Sequence, residues 1–456
     1  MRQSSSDLTA LYEEQDRKSI QDRLVELRNS KVIIYSVYAM VLSYFYNLPV
    51  MTYSATGNNE LRLYDFAGFV ILIVYFRNFT LLNDVIRRYK FLSYLFDFLL
   101  WATFTMLFTT FHSIYLNRMV WIVQTTLYLF HFYVFFLTCL LMIIMIQDTK
   151  HLKNLVQFSL ICALISFIIV ILQNLGLVPY LWNTSYLRAY HGFLSGTFGP
   201  NKIVLGMTCV MMFAMSIGLL NDKRVKINKT LLISTICISI IVAIITGSRT
   251  AYLGLAVFLV YFLIRDFRSF VFSSFVLIAV LTVTAAIDNT LIQMAVEVYE
   301  NRVEKKIENP EDVQEARVDA LYEDLGAGRK KLSLLYVDIL SNNLHLVPFG
   351  RGFNNRLETP SSAHNIYLSL INEVGLLGAL LYIRWLGSYL FVRMTHFPQM
   401  NMASKGLVLA MLVTLFFGEH LYVYRALFGL VGLFLFVVTV LTSPLYIVEA
   451  TARENE

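Results

Sequence analysis

A histidine and an asparagine open an apolar stretch in the segment SSAHNIYLSLINEVGLLG, which covers residues 361–378. Imidazole titrates near neutral pH, so His364 has the chemistry of a general base that takes a proton from a hydroxyl group. The amide of Asn365 is suited to orient a sugar or a phosphate. Position alone equally allows another role, in which His364 lies at a membrane interface and caps a helix.

An acidic residue follows in the same stretch. Glu373 lies nine residues after His364, which is about 13 Å deeper along a helix. We expect an ionisable group at that depth to face the interior of a helix bundle and to pair with a buried arginine or polar side chain. Gly375 and Gly378 are expected to allow close helix packing rather than to contact a ligand.

Basic residues elsewhere in the chain are candidates for binding an anion. Arg249 lies in TGSRTAYLGL and Arg329 in GAGRKKLSLLY, while Arg188 and Lys202 belong to the glycine-rich loop of residues 187–206. Guanidinium groups make bidentate contacts with phosphate. Snorkelling to the membrane interface is the alternative for Arg249, and the loop is expected to be re-entrant or to line a cavity.

Other polar residues favour structural roles. Glu419, His420 and Arg425 in GEHLYVYR are expected to form an internal ion-pair group, and Asp65 and His131 are read as isolated structural residues in or near apolar spans. No compact pair of acidic residues suggests a divalent metal, so we expect no metal site and no cofactor.

Apolar spans must position these residues. The 456 residues are 57% hydrophobic and 15% charged, and apolar runs long enough to cross a bilayer recur along the chain. The pattern predicts an all-α polytopic membrane protein with about twelve transmembrane helices. They are predicted near residues 31–50, 63–79, 92–112, 119–147, 155–175, 202–220, 230–246, 251–264, 270–287, 365–392, 407–420 and 425–447.

The distribution of lysine and arginine predicts that both termini are cytoplasmic. A cytoplasmic N-terminal segment (1–30) would precede nine helices (31–287), a large outer loop (288–363), three helices (364–447) and a cytoplasmic tail (448–456). We expect short helices in the outer loop to cap the outer mouth, with the site beneath them. The net charge of +6 comes from short loops between spans and does not indicate a nucleic acid partner.

These motifs resemble those of the O-antigen polymerase and O-antigen ligase superfamily. Its histidine motif is His, then Asn, Ser or Gln, nine residues, Gly, two residues, and Gly, Thr or Val. The residues that match this family run from about 187 to 380; they are His364, Asn365, Gly375 and Gly378 of the histidine motif, Arg249 and Leu253 of an Arg-x-x-x-Leu motif, the loop GTFGPNKIVLG (196–206), and Gly328, Arg329, Pro348, Gly350, Gly352 and Phe353 before the histidine. Leu332 or Ser333 stands where relatives carry a tryptophan.

The resemblance implies a metal-independent glycosyltransferase with a GT-C-like fold and a long helical periplasmic loop. Its donor would be an undecaprenyl-diphosphate-linked glycan at the periplasmic face of the bacterial inner membrane, and its acceptor a glycan or glycolipid. His364 would act as the base, Arg249, Arg329 and Arg188 would hold the diphosphate, and Asn365, Glu373 and Lys202 would support them. Membrane lipid and a chain-length regulator protein are further expected partners.

Two activities and two other classes stay open. A polymerase that joins lipid-linked repeat units is preferred over a ligase that transfers the glycan to lipid A-core, although no residue separates them. A transporter of lipid-linked sugars is the competing class; such proteins often have inverted repeats and broken spans. Polar residues crowded on one face and the absence of an apparent repeat favour the enzyme, and the basic outer residues disfavour a purely structural partner.

Overall fold

A computed structural model describes most of the chain. It covers residues 26–27, 29–52, 60–146, 149–182, 195–199, 201–222, 226–268, 329–358, 363–394, 397–419, 421 and 425–442, with a few residues between 270 and 282. Arg188, most of the predicted span 270–287 and the part of the predicted outer loop up to residue 328 lie outside these described residues.

The described chain is mostly helical. Its helices are α1 Lys31–Phe45, α2 Leu63–Arg77, α3 Phe79–Arg88, α4 Lys90–Tyr115, α5 Met119–Met145, α6 Thr149–Asn174, α7 Lys202–Leu220, α8 Lys229–Ile245, α9 Arg249–Arg265, α10 Arg329–Asn342, α11 Leu346–Phe349, α12 Ile366–Ser388, α13 Pro398–Thr414 and α14 Arg425–Leu441. Strands β1 (Pro49–Thr52) and β2 (Glu60–Arg62) pair antiparallel between α1 and α2.

Long apolar helices mark a membrane-embedded protein. Within the described residues, 5 helices are long and apolar enough to cross a bilayer: α4, α5, α6, α7 and α12, the last continued by a short 3₁₀ turn. Each of the other predicted spans, except 270–287, also coincides at least in part with a helix, but these helices are shorter or less apolar.

Two predicted spans differ from the helices observed. The first ends at Phe45 rather than at residue 50, because Pro49 begins β1 and the backbone N–H of Asn47 donates to the Thr197 carbonyl instead of continuing the helix. The eleventh is displaced toward the N-terminus: α13 begins at Pro398, and proline is favoured in the first turn of a helix.

Several helices begin or end together at one end of the bundle. Helix α9 packs closely against α7 at Gly206, because a Cβ on this glycine would lie 2.7 Å from the Ala251 side chain. The backbone N–H of Ile366, the first residue of α12, donates to the Leu415 carbonyl just after α13 (3.0 Å). We call this the His364 end: it holds the starts of α7, α9 and α12 and the end of α13.

Helix α12 is broken where the sequence pattern predicted only close packing. Gly375 has φ 73° and ψ 177°, values outside the helical region, so it interrupts the continuous helix that was predicted for residues 365–392. The close packing expected at both glycines is present, because a Cβ would lie 2.5 Å from the Phe349 carbonyl carbon at Gly375 and 2.8 Å from the Trp101 ring at Gly378. A break leaves backbone carbonyls without their helical partners, which is costly inside an apolar bundle.

The segment Gly350–Glu358, which we call the inserted loop, fills the break. Its backbone N–H groups at Arg351 and Gly352 donate to the carbonyls of Asn372 and Glu373, both at 2.8 Å. The indole N–H of Trp101 on α4 donates to the Val374 carbonyl at 2.8 Å. Three consecutive carbonyls ahead of Gly375 therefore have donors from outside α12.

Side chains from α4 and α5 hold the inserted loop from its other face. The Thr109 hydroxyl donates to the Phe353 carbonyl at 2.7 Å, and the Trp121 indole N–H donates to the Asn354 carbonyl at 2.9 Å. A Cβ at Gly352 would lie 2.5 Å from the Thr109 nitrogen. The two glycines of the Gly-x-Gly turn are thus needed for close backbone approach.

Replacing Gly375 by alanine should destabilise the protein. The new Cβ would lie 2.5 Å from the Phe349 carbonyl carbon, in a left-handed backbone conformation that L-residues adopt at a cost. We expect a loss of roughly 1–3 kcal/mol or more, measured as a lower melting temperature in detergent.

Gly387→Ala on the same helix is the matched control, because nothing lies within 4 Å of its Cβ position. That variant should be neutral or slightly stabilised, as alanine is the better helix former. Equal melting temperatures for the two variants would contradict the interlocked break.

Candidate functional site

His364 is held in an unusual backbone conformation at the mouth of α12. Its φ is 51°, in the left-handed region that residues other than glycine seldom adopt. The side chain is partly exposed, whereas the preceding Ala363 is fully buried. This conformation costs roughly 1–2 kcal/mol and persists because its neighbours are fixed on both sides.

Asn365 acts as the N-cap of α12. Its Oδ1 accepts hydrogen bonds from the backbone N–H groups of Tyr367 (3.0 Å) and Leu368 (3.3 Å). These bonds satisfy two of the N–H groups that a helix start leaves without partners. The geometry accordingly gives Asn365 a direct part in positioning His364, through the helix start.

A polar stripe descends from the cap along one face of α12. Asn365, Ser369, Asn372 and Glu373 recur at helical spacing, and the last three are fully or almost fully buried. The Ser369 hydroxyl donates to Glu419 Oε1. This stripe faces a second acidic residue across the bundle.

Arg356 of the inserted loop joins the two buried carboxylates. Its Nε donates to Glu373 Oε1 at 2.8 Å and its Nη2 to Glu419 Oε2 at 3.3 Å. The Glu373 and Glu419 side chains are 1% and 2% exposed, and Arg356 is 15% exposed. Glu373 Oε2 also accepts the backbone N–H of Asn354 at 3.0 Å.

We call Arg356, Glu373, Glu419 and Ser369 the buried ion-pair network. It ties the inserted loop, the first turns of α12 and the segment after α13 to one another directly below His364. The expected partner of Glu373, a buried arginine, is therefore present. Glu419 also pairs with Arg356; His420 and the Arg425 side chain, its expected partners, lie outside the described residues.

Lys202 and Arg249 lie at the His364 end. Each is the first residue of its helix, and each side chain is partly exposed. Gly206, one turn after Lys202 on α7, packs against Ala251, which is two residues after Arg249 on α9. The two basic residues are therefore neighbours at the start of α7 and α9.

Helix α13 connects this pair to His364. A Cβ at Gly254 on α9 would lie 3.5 Å from the Thr414 methyl group, and Leu415 next to it accepts the Ile366 N–H. Lys202, Arg249 and His364 consequently share one end of the bundle. A short turn at residues 246–248 joins α8 to α9 directly before Arg249.

The other two predicted anion ligands are less fully defined. Arg329 begins α10, which packs against α12, but its side chain lies outside the described part of the structure. Arg188 lies outside it altogether. The described helices α10 and α11 agree with the short helices expected in the outer loop.

The irregular segment 195–199 before α7 is buried, and residues 187–194 of the loop predicted to be re-entrant or to line a cavity lie outside the described residues. Its polar groups are paired: Thr197 Oγ1 donates to the Phe45 carbonyl at 2.7 Å, and the Gly196 N–H donates to Gln173 Oε1 at 2.8 Å. Such pairing is what allows irregular backbone to lie among helices.

Asp65 and His131 are not isolated, which corrects the expectation for them. The His131 Nε2 and Asp65 Oδ1 atoms are in hydrogen-bonding contact, and both residues are 2% exposed. The second Asp65 oxygen accepts the Arg62 backbone N–H at 2.8 Å. These bonds fix α2 against α5, a structural role as expected.

Arg356 is the principal residue that sequence reasoning missed. It belongs to the predicted outer loop, and an arginine in an exposed loop is usually taken to be solvated. A usable signal was the pair of acidic residues, Glu373 and Glu419, in apolar surroundings, since each needs a buried cation. The contact between His112 on α4 and Glu358 of the inserted loop was also missed.

Comparisons with protein families and with curated proteins found no match to this chain. The family resemblance thus rests on the motifs themselves. Within the described residues, no three His, Cys, Asp or Glu side chains come together as a metal site would require.

Chemically, the His364 end offers one partly exposed imidazole, two partly exposed basic residues and a buried, charged support. An imidazole can exchange a proton with a bound hydroxyl group, and basic side chains can stabilise an anionic leaving group. The histidine lies at a capped helix start above the buried ion-pair network, so its position is fixed. A catalytic group needs such a fixed position relative to its substrate.

Arg356→Met should be strongly destabilising. It would leave two buried carboxylates without this counter-charge, which typically costs about 3–5 kcal/mol. The measurement is thermal unfolding in detergent, with Arg87→Met, an exposed arginine on α3, as the matched control.

Adding Glu373→Gln to Arg356→Met should recover part of the loss, because it removes one of the uncompensated charges. If the Arg356 and Arg87 variants unfolded at the same temperature, the network would not be supporting the fold.

Proposed function

We propose that the protein is a polymerase that joins undecaprenyl-diphosphate-linked oligosaccharide repeat units into a surface polysaccharide, such as an O-antigen, capsule or exopolysaccharide. It would be a multi-pass protein of the bacterial inner membrane, with about twelve spans, a GT-C-like architecture and its site facing the periplasm. Both termini and the tail after residue 447 would be cytoplasmic.

One observation carries this proposal: His364 lies at the same end of the bundle as Arg249 and Lys202, on a helix start fixed by the Asn365 cap. This is the placement that a base and an anion-binding group need if they are to act on one substrate. The resemblance of the His364 motif to the O-antigen polymerase and ligase superfamily supports a lipid-linked glycan as the substrate.

The reaction needs a proton acceptor and a place for developing charge. As the acceptor hydroxyl attacks the anomeric carbon of the donor sugar, the imidazole of His364 takes its proton. The bond from that carbon to the diphosphate oxygen breaks, and the negative charge forms beside Arg249, Lys202, Arg329 and Arg188. A single displacement inverts the anomeric configuration.

A ligase that transfers the lipid-linked glycan to lipid A-core is the alternative activity. It would use the same base and the same anion-binding groups, so the residues of the site serve both. The two differ only in the acceptor.

One observation favours a transporter: helix α12 is broken, and discontinuous helices often form transport sites. In those sites the freed backbone groups bind substrate or ions. Here the carbonyls of residues 372–374 accept hydrogen bonds from Arg351, Gly352 and Trp101. Protein donors occupy the break, which favours a structural use of it.

Deleting the gene and separating the surface polysaccharide by size tests the proposal. Glycan limited to a single repeat unit supports the polymerase, and bare core with accumulated lipid-linked polymer supports the ligase. Unchanged glycan with altered uptake of a small molecule would reject both in favour of a transporter.

His364→Ala should reduce glycan transfer by about 10²–10⁴-fold, the usual contribution of a general base, with normal protein levels in the membrane. Transfer is measured in membrane vesicles supplied with the lipid-linked donor. His151→Ala, at the start of α6 on the opposite end of the bundle, is the matched control and should transfer normally. Normal transfer by the His364 variant would remove the histidine from the chemistry.

Arg249→Lys should lose roughly ten- to a hundredfold in transfer, because a point charge cannot reproduce two charge-assisted hydrogen bonds. The same vesicle assay measures it. Arg265→Lys, at the other end of α9, should behave as wild type. Full turnover by the Arg249 variant would contradict its diphosphate role.

A further inference from the structure

A pocket opens on the side of the inserted loop that faces away from the buried ion-pair network. It has a volume of ≈ 520 Å³, within the roughly 300–1,000 Å³ of small-molecule sites. Residues of α4, of the turn between α10 and α11, of α11 and of the inserted loop line it. We call it the α4 pocket.

The polar lining of the α4 pocket mixes donors and acceptors. It comprises His112, Asn343, His345, Arg351 and Glu358. Glu358 is shared by two of them: its carboxylate lies 2.9 Å from Arg351 Nη1 and 3.4 Å from His112 Nε2. The carboxylate already partners the guanidinium and would repel an anion, so a neutral ligand rich in hydroxyl groups fits better than a free phosphate.

Aromatic rings complete the pocket and extend beyond it. Phe108 and Phe349 line it and are 37% and 52% exposed. Sugars present flat C–H faces that pack on such rings while their hydroxyls bond the polar groups. This combination of exposed rings and mixed polar groups is typical of carbohydrate binding.

The rings continue as a connected row down the exposed side of α4. The ring centroids of Phe349 and Trp101 are 6.0 Å apart, those of Trp101 and Phe104 5.4 Å, and those of Phe104 and Phe108 5.6 Å. Trp101 lies about 10 Å below Phe108 along the helix. A sugar in the pocket would therefore have an apolar surface beneath it, inside the membrane-spanning part of α4.

The inserted loop separates this pocket from the buried ion-pair network. Arg351 and Glu358 line the pocket, whereas Arg356 between them pairs with Glu373 and Glu419. His364 follows Glu358 by six residues. The loop thus has one face toward the pocket and one toward the network, and the predicted base follows it in the sequence.

We propose that the α4 pocket binds the glycan of a lipid-linked oligosaccharide, with the lipid chain lying on the aromatic row of α4. This lipid-linked glycan is a substrate of the reaction, an assignment that rests on the proposed function. Binding itself requires no transfer, so it can be measured separately.

Photocrosslinking in living cells tests the proposal. The photoreactive residue p-benzoylphenylalanine replaces Phe349, or, as a lipid-facing control, Ile73 on α2, which is 67% exposed. Cells are fed tritiated N-acetylglucosamine to label their own lipid-linked glycans and are then irradiated. The Phe349 protein should carry several-fold more tritium than the Ile73 protein.

Polar substitutions decide whether the pocket holds the label. His345 and Glu358 are exposed, so His345→Ala with Glu358→Gln should leave the fold intact while lowering the tritium at position 349 several-fold. Equal label at positions 349 and 73, or label unaffected by these substitutions, would overturn the pocket proposal.

Repeating the crosslinking in the His364→Ala protein separates the two proposals. Retained label with lost transfer supports both. Retained label with normal transfer keeps the pocket and rejects His364 as the base. Label at position 349 in a wild-type protein that transfers no glycan keeps the pocket and rejects the proposed function. Absent label in the otherwise wild-type protein, with transfer that depends on His364, rejects the pocket alone.

Discussion

The structure depends on hydrogen bonds that satisfy the backbone of a broken helix inside an apolar bundle. Gly375 interrupts α12 and leaves the carbonyls of residues 372–374 without helical partners. An unsatisfied backbone group in such surroundings costs several kcal/mol. Donors from the inserted loop and from Trp101 remove that cost, so the loop and the break exist only together. Glycine at positions 350, 352 and 375 lets the two backbones come close enough.

The site follows from this interlock. Since the inserted loop is fixed against α12, Arg356 can reach both Glu373 and Glu419, and the paired charges bind three segments at one end of the bundle. The same fixed loop presents Arg351 and Glu358 to the α4 pocket. His364, itself in a strained backbone conformation, precedes the Asn365 cap of α12 at the end that also carries Lys202 and Arg249. A rigid mount of this kind suits a group that must meet a substrate hydroxyl in one orientation.

Much of the fold could be predicted from hydrophobicity, because a bilayer imposes a minimum length on each apolar span. The partner type of Glu373 was likewise predictable, since a buried carboxylate needs a cation. Its identity was not: Arg356 lies 17 positions before Glu373, in a loop, and it also pairs with Glu419 63 positions away, so neither contact leaves a helical or other local spacing in the sequence. The close packing at Gly375 was predicted, but the helix break was not, because a glycine among apolar residues looks the same whether the helix continues through it or ends there. The Asp65–His131 contact, between α2 and α5, escaped for the same reason as Arg356.

The pH dependence of transfer tests the central claim most directly. Purified wild-type protein in vesicles should transfer glycan faster as the pH rises through the range where imidazole loses its proton, because only neutral His364 can accept one. The residual rate of His364→Ala should lack that rise. A wild-type profile that is flat across this range, or a variant that keeps the same rise, would contradict His364 as the base.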